Sequence, residues 1–427
     1  MARLKKEKVF RDPILNFISI RDKTILDLIN SSEMQRLRRI KALGVANLVF
    51  HGGEQSRFQH SLGVYEITRR MVEHFDVNRP KFWDHDNDIV VMAAGLLHDI
   101  GHGAYSHTFE HIFGTNHEEF TQKIITDPST EVNKILKRYD ENLPNEVASV
   151  IAKTHPNKLL VSMISSQIDA DRMDYLLRDA YFTGAEYGKY DIERILHLMY
   201  PTEEGIVFDI SGVHSVEDYI VSRYQMYLQV YFHPASRGME VVLENLLMRA
   251  QGLFTEEIQP EIFFPTIAAI FESGKDISVS NYLKLDDGVF TTAFGIWLNS
   301  KDKILSDLSR RFLDRKPFKS ISYSGERDNR LIHLEKLVEE NGFDKFWYSG
   351  TNNANDIPYK SYSARNKTKR PIQFIDGDGN LKGLSSLSDI VKSIDNMEVS
   401  DNRFFFPKEL LKRSEELKKQ YHDRKAF

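Results

Sequence analysis

The 427-residue chain contains no cysteine, which excludes disulfide staples, thiolate metal sites and a cysteine nucleophile. Long apolar runs are also missing. The longest are short and interrupted, so no segment reads as a bilayer-spanning helix. The opening residues MARLKKEKVFRDP are charged and hold no apolar signal-peptide core, and a cytoplasmic location is expected. Low-complexity tracts, internal repeats and long basic runs are absent, and the net charge is −5 with a pI near 6.3. A nucleic-acid surface is therefore not expected, because phosphate backbones are held mainly by clustered Lys and Arg. With 41% hydrophobic residues, the chain can bury one large core and a smaller one.

What the chain does have is histidine concentrated in one place. His98, His102, His107, His111 and His117 are five of its fifteen histidines. Imidazole ligates metals and transfers protons near neutral pH, so such a cluster points to chemistry. His60, the pair His98-Asp99 and an Asp of the run SQIDADRMDYLLRD, Asp171 being the best candidate, supply two imidazoles and two carboxylates. Such a set can close around one divalent ion and leave positions open for water and a phosphate oxygen. Hydrolysis of a phosphoester is the chemistry to expect.

The candidate ligands have helical addresses. His60 opens HSLGVYEITRRMVEHF, where Leu62, Tyr65, Ile67, Met71, Val72 and Phe75 recur at three- and four-residue spacing. The apolar helix DIVVMAAGLLHD delivers His98 and Asp99 at its end, before Gly101 and Gly103. Asp171, Tyr175 and Asp179 fall four residues apart and share one helical face, with Arg172 beside it. Helical patterns dominate from about residue 22 to 313, with GIVFDI as the one strand pattern there and SGVHSVEDYI as a helix start. After Lys316 come FKSISYS, a helical RDNRLIHLEKLVEENG, FWYSG and PIQFIDGDGNLKG with its turn, which together suggest a small α+β lobe. TNNANDIPYKSYSARNKTKR reads as a loop and FPKELLKRSEELKKQYHDRKAF as a charged terminal helix.

The blocks RFQHSLGVYE, GLLHDIGHGAYSHTFEH, TNHEE, SQIDADRMDYLLRDAYFTG and SRYQMYLQVYFHP, spanning residues 57 to 234, resemble the HD-domain deoxynucleoside triphosphate triphosphohydrolases, vertebrate SAM-and-HD-domain enzymes and bacterial relatives among them. RDP and QRLRRIKALG extend the resemblance back to about residue 8, and the last hundred residues match weakly. The resemblance implies a mainly α fold: an HD-type metal-dependent phosphohydrolase domain over residues 1–313, and a C-terminal α+β lobe over 314–427 with a regulatory or oligomerisation role. It implies cleavage of a dNTP between the 5′ oxygen and the α phosphorus, giving a deoxynucleoside and triphosphate, with Mg²⁺ accompanying the nucleotide.

Carried over by position, His60, His98, Asp99 and Asp171 match the metal ligands, Asp171 being favoured over Asp169 of the same run. His107 matches the catalytic general acid and Glu110 its supporting carboxylate, while His117 and Glu118 match a second His-Glu pair that lines the same site or orients water or phosphate. Arg57, Arg172 and Arg223 match triphosphate contacts, with Arg172 where the vertebrate enzyme carries Lys. Tyr175 and Asp179 match sugar contacts and Tyr231 the base-stacking position. Ala42 departs from a Gln that reaches the sugar, so selectivity there is expected to be looser or supplied by another residue.

Lys8, Gln35, Arg38, Arg315 and Lys319 match contacts to an activating nucleotide at subunit contacts. Asn30 replaces the Asp that reads guanine, which leaves the effector base open. A homotetramer is the family expectation. The metal could be Mg, Mn, Fe, Ni or Zn. His102, as an extra ligand, keeps an HD phosphatase or phosphodiesterase acting on another nucleotide as the alternative, and a silent nucleotide sensor is disfavoured by the complete ligand set.

Overall fold

The computed structural model describes residues 3–255, 265–323, 329–356, 359, 371–395, 397 and 399–422. It opens with a feature the sequence did not signal, an antiparallel hairpin of β1 (Arg3–Asp12) and β2 (Asn16–Asp22) turned by Asn16 at φ 64°. The charged RLKKEK stretch has no alternation to betray a strand, because residues 5–9 of β1 are exposed on both faces and only Leu4 and Phe10 of that strand lean on the core that Ile18 and Ile20 of β2 enter.

Helices then follow in close succession. They are α1 (Lys23–Asn30), α2 (Ser32–Arg36), α3 (Arg57–Asn78), α4 (Asn87–Leu97), α5 (His107–Phe113), α6 (His117–Thr126) and α7 (Glu131–Tyr139). After them come α8 (Leu143–Ile151), α9 (Lys158–Ile164), α10 (Ala170–Thr183), α11 (Ile192–His197), α12 (Val213–Met226) and α13 (Pro234–Thr255). Side-chain caps fix many starts: Asp22 accepts from Thr24 and Ile25 N–H, and Asp169 from Arg172 N–H. Every residue of α4 from Ile89 to Leu97 is buried, which explains its apolar composition all round and places it at the centre of the bundle.

GIVFDI forms β4 (Gly205–Asp209) as expected, and its partner β3 (Met199–Thr202) escaped notice because it is four residues long and contains Pro201. Beyond α13 the strands are β5 (Lys319–Ser322), β6 (Gly350–Asp356), β7 (Gln373–Ile375), β8 (Leu381–Gly383) and β9 (Val399–Phe406). They enter two sheets, ordered β3-β4-β7-β8 and β5-β9-β6. TNNAND is therefore a strand and not a loop: as β6 it lies at a sheet edge, where polar side chains are tolerated, against the Phe-rich central β9. Residues 357–358 and 360–370 of that stretch lie outside the described residues. The terminal helix is two, Leu410–Arg413 and Glu415–His422, divided at Ser414, whose hydroxyl accepts from Leu417 N–H.

The molecule is thus mainly α with small sheets. Two hydrophobic clusters hold it. One gathers residues from Leu15 to Val230 with Phe374, Leu384 and Val391; the other gathers Met239 to Leu417 with Val45, Tyr105 and Phe109. Secondary structure changes character near residue 313, whereas core packing changes between Tyr231 and Met239, and β7 and β8 return to the first cluster.

Candidate metal centre and active-site cleft

His60 lies in the first turn of α3, whose start is a capping box: Ser56 N–H donates to Gln59 Oε1 at 2.9 Å. His98 and Asp99 follow the last turn of α4, and the chain then turns at Gly101. A Cβ on Gly101 would collide with the Thr121 amide and the His117 carbonyl, so glycine is what lets α6 approach the ligands. Asp171 sits in the first turn of α10.

These elements bring the expected donors together. His60 Nε2 lies 3.2 Å from Asp171 Oδ1 and 3.8 Å from Asp99 Oδ2, and His98 Nε2 lies 3.4 Å from Asp99 Oδ1 and 3.6 Å from Asp171 Oδ1. His98 Nε2 is buried without a hydrogen-bond partner, while its Nδ1 is engaged with the Gly95 carbonyl at 2.9 Å. A buried imidazole nitrogen aimed at carboxylates without bonding them fits a divalent cation, as does the donor set. Asp99 also belongs to a second set, with donor atoms of His102 and His117 within 4.8 Å of one another.

Electrostatics say the same. Burial opposes charge on His60, yet Asp171, Asp174 and Asp99 outweigh it and push its pKa up to about 10. Burial likewise opposes ionisation of Asp99, but His102, His98 and Arg57 hold its carboxyl well below the usual range. The pocket therefore selects positive charge at its centre. Burial, and then Arg57, push the His102 pKa well below its ordinary value.

A chain of residues behind His60 was not anticipated. His60 Nδ1 bonds Asp174 Oδ2 at 2.8 Å, Arg178 donates to both Asp174 oxygens at 2.8 Å, and it also donates to Asp12 Oδ2 at 2.9 Å. Arg178 and Asp174 are fully buried. The chain holds the proton on Nδ1 and turns Nε2 toward the ligand cluster. Gly63 makes the room, since a Cβ there would collide with Asp174 and Arg178. Asp174, three residues after Asp171 and four before Arg178, was the signal to notice.

On the other side, His117 Nδ1 bonds Glu110 Oε1 at 2.8 Å, and His102 stacks on His117 at 4.0 Å between centroids. His107 is exposed and its Nδ1 lies 3.6 Å from Glu110 Oε2, so Glu110 is bonded to His117 and only neighbours His107. His107 follows two consecutive left-handed residues, Tyr105 and Ser106, both at φ 54°. The Arg57 guanidinium bonds Ser106 Oγ at 2.7 Å and pairs with Asp99. Tyr105 N–H donates to Asp287 Oδ1 at 3.0 Å, and Lys41 N–H to Asp287 Oδ2 at 2.8 Å.

A cleft of about 510 Å³ opens onto this centre, and its walls include His98, Asp99, Asp171, Arg172, His117 and Glu118. Arg172 pairs with Asp169 at its edge. Tyr175, Asp179, Arg223, Tyr231 and Arg57 do not line it. All but Arg57, which bonds Ser106 and Asp99, form a neighbouring group: Tyr231 donates to Asp179 Oδ2 at 2.7 Å, Tyr175 and Tyr231 meet edge to face at 6.3 Å, and Arg223 lies 5.5 Å from the Tyr227 ring. Tyr231 ends a π-helical turn, Tyr227–Tyr231, that continues α12. Gln55, missed in the sequence, donates to Asp179 Oδ1 at 2.9 Å.

Burial pushes the Asp179 carboxyl up to about 6 despite its bonds from Tyr231 and Gln55. A folded-state value above that of the unfolded chain means stability falls as pH rises through the window from about 4 to about 6, by roughly 3 kcal/mol. Denaturant melts across that window are expected to show a flatter pH dependence for Asp179→Asn than for the natural chain.

The residues matched to effector contacts are dispersed. Gln35 Oε1 accepts from Arg38 at 2.8 Å and Arg38 stacks over Phe58 at 3.8 Å, whereas Arg315 donates to the Leu48 carbonyl, Lys8 lies in β1 and Lys319 begins β5.

Comparisons with known proteins agree with this geometry. Residues 57–179 match the HD domain model and residues 190–342 the HD associated region. The chain is 47% identical to Uncharacterized protein YwfO of Bacillus subtilis, over 96% of this chain and 94% of that one. It is 26% identical to Deoxynucleoside triphosphate triphosphohydrolase SAMHD1 of Danio rerio, over 78% of this chain and 58% of the other. A phosphohydrolase of Bacteroides thetaiotaomicron superposes with TM-score 0.83 at 26% identity, covering 94% of this chain and all of that one. Among the described residues no helix is long and apolar enough to cross a membrane. An HD domain carrying a buried His/Asp group that could hold a metal ion, followed by its associated region, makes this chain a member of the HD dNTPase-like family of phosphohydrolases.

Proposed function

We propose that the protein hydrolyses deoxynucleoside triphosphates to deoxynucleoside and triphosphate. The observation that carries the reading is the convergence of His60, His98, Asp99 and Asp171, with His98 Nε2 buried and unbonded, beside the His117–Glu110 pair. When bound, a divalent cation held by those four residues would supply Lewis acidity toward a phosphoryl oxygen and lower the pKa of water.

The chain's own groups do the rest. Arg57, Arg172 and Arg223 carry the charge that offsets the triphosphate. Asp171, Tyr175 and Asp179 stand at successive turns of α10, about 6 and about 12 Å along its axis, which spans from phosphate to sugar. Asp179 receives the sugar hydroxyl, Gln55 supplies the amide that Ala42 lacks, and the Tyr231 ring packs the base. His107, exposed beside the His102 and His117 rings, protonates the departing 5′ oxygen, with Glu110 within a short side-chain movement and bonded meanwhile to His117. Glu118 orients the phosphate side of the cleft through its contact with Lys153. Lys8, Gln35, Arg38, Arg315 and Lys319 serve an activating nucleotide in an oligomer, expected to be a tetramer, in the cytoplasm.

Incubation with each dNTP and Mg²⁺ or Mn²⁺, with products separated by ion exchange, tests the reading: triphosphate supports it and orthophosphate sinks it. His107→Ala is expected to retain its metal and lose on the order of a hundredfold in turnover. A second reading, a phosphohydrolase with two metals acting on another nucleotide, draws on the Asp99, His102 and His117 set. Metal analysis finding two ions per chain would favour it.

A further inference from the structure

Five consecutive carbonyls run through the turn that carries the ligands, from His98 to His102, and each of them is taken. The Asp99 carbonyl accepts from His102 N–H at 3.1 Å within the turn itself. Side chains from elsewhere in the chain take the other four. Thr121 Oγ1 of α6 donates to the His98 carbonyl at 3.1 Å and accepts from Gly101 N–H at 2.9 Å. Arg36, the last residue of α2, donates through Nη2 to the His102 carbonyl at 2.9 Å and approaches the Ile100 carbonyl through Nη1 at 3.5 Å. Between those two, the Tyr282 hydroxyl, from the short helix Val279–Tyr282, donates to the Gly101 carbonyl at 2.6 Å. Carbonyls past a helix end have no intrahelical donor, so the shape of such a turn is set by whatever supplies their partners.

Arg36 is a costly residue to place here. Its Nε donates to the Leu285 carbonyl at 2.9 Å, and its guanidinium lies 5.3 Å from the Tyr282 ring, which stacks on Phe120 at 3.8 Å. Arg36 is 1% exposed and Tyr282 is fully buried. Asp286 and Asp287, whose charge reaches the guanidinium, are committed elsewhere, Asp286 to Arg39 and Asp287 to the Lys41 and Tyr105 N–H groups. A buried cation answered by carbonyl dipoles rather than by an opposite charge recovers little of its lost hydration. Burial accordingly pushes the Arg36 pKa below its ordinary value. An apolar side chain would fill the space at less cost, but only a planar fork reaches carbonyls on two separate segments at once.

We propose that Arg36 and Tyr282 are positioning residues of the metal centre. They fix the backbone of the turn, and with it the directions in which His98, Asp99 and His102 present their side chains, without themselves reaching the cation. The inference rests on the metal-binding reading of His60, His98, Asp99 and Asp171 and extends it. Arg36 precedes and Tyr282 follows the HD domain at residues 57–179, so affinity for the cation is set partly by groups outside that domain.

Tyr282→Phe removes one hydroxyl and keeps the ring on Phe120 and beside Arg36. Mn²⁺ titrated calorimetrically into the metal-stripped full chain is expected to bind this variant about tenfold more weakly than the natural protein, the low end of what partners behind metal ligands contribute. Arg36→Lys, which keeps the charge and loses the fork, is expected to lose at least as much; where it does not fold, Tyr282→Phe decides alone. Tyr65→Phe is the comparison: Tyr65 is likewise buried and its hydroxyl donates to the Ser19 carbonyl at 3.0 Å, so its loss should lower the melting temperature in the same way and leave the Mn²⁺ Kd unchanged. The absorption spectrum of bound Co²⁺, which reports ligand geometry, is expected to change in Tyr282→Phe and not in Tyr65→Phe. An unaltered Kd in Tyr282→Phe overturns the proposal, as does an identical Co²⁺ spectrum or an equal loss of affinity in Tyr65→Phe. Neither measurement involves a nucleotide, so a chain whose metal affinity follows Tyr282 but which releases no triphosphate from any dNTP keeps the positioning role and loses the substrate assignment.

Discussion

Replacing His98 or Asp171 by alanine is expected to lower dNTP hydrolysis by about a thousandfold and to leave less than one tightly held divalent ion per chain. The magnitude follows from the charge stabilisation a bound cation provides, of which about 4 kcal/mol corresponds to about 10³ in rate. The fold should survive: His98 forfeits only its Nδ1 bond to the Gly95 carbonyl one turn back in the chain, and Asp171 is the most exposed of the four ligands, with its side chain 30% accessible. Metal content by elemental analysis, turnover and a melting curve on the same preparation test this together. Full metal occupancy in either variant would remove that residue from the coordination set.

The second large effect is expected away from the ligands, at Arg178→Met. Methionine fills much of the same volume but leaves Asp174 and Asp12 buried and facing one another without their shared cation. Removing one member of a buried ionic group costs about 3–5 kcal/mol. Because Asp174 also orients His60, metal affinity or activity should fall by roughly ten- to a hundredfold in the fraction that remains folded. Chemical denaturation reads the first effect and metal titration the second. Equal stability of the variant and the natural chain would show that Asp12 and Asp174 find other compensation.

Much of the candidate centre was legible in the sequence because its ligands sit near helix ends, His60 and the His98-Asp99 pair with a tightly packed glycine two or three residues on, where spacing and residue type survive in the linear order. His60, His98, Asp99 and Asp171 do converge. Relations between distant segments were not legible. Nothing in RDP announces that Asp12 meets Arg178, because the pairing depends on how the hairpin of β1 and β2 docks on α3 and α10. The partnership of Glu110 is of the same kind. Its spacing from His107 suggested contact within one helical turn, but the stacking of His102 on His117 brings the next helix closer and Glu110 bonds there. Exposed or edge strands such as β1 and β6 escaped because alternation is written only where one face is buried.

Asp287 belongs to the second hydrophobic cluster's helix, Asp287–Trp297, yet its two carboxylate oxygens fasten the Lys41 and Tyr105 backbones beside the centre built by the first. The downstream half of the polypeptide thereby acts as a brace for the loop that presents His107. Cutting the chain into its two motif-bearing portions would preserve every ligand and still release that loop from its mooring. Truncation is therefore expected to loosen the loop that carries His107 while keeping His60, His98, Asp99 and Asp171 on one piece.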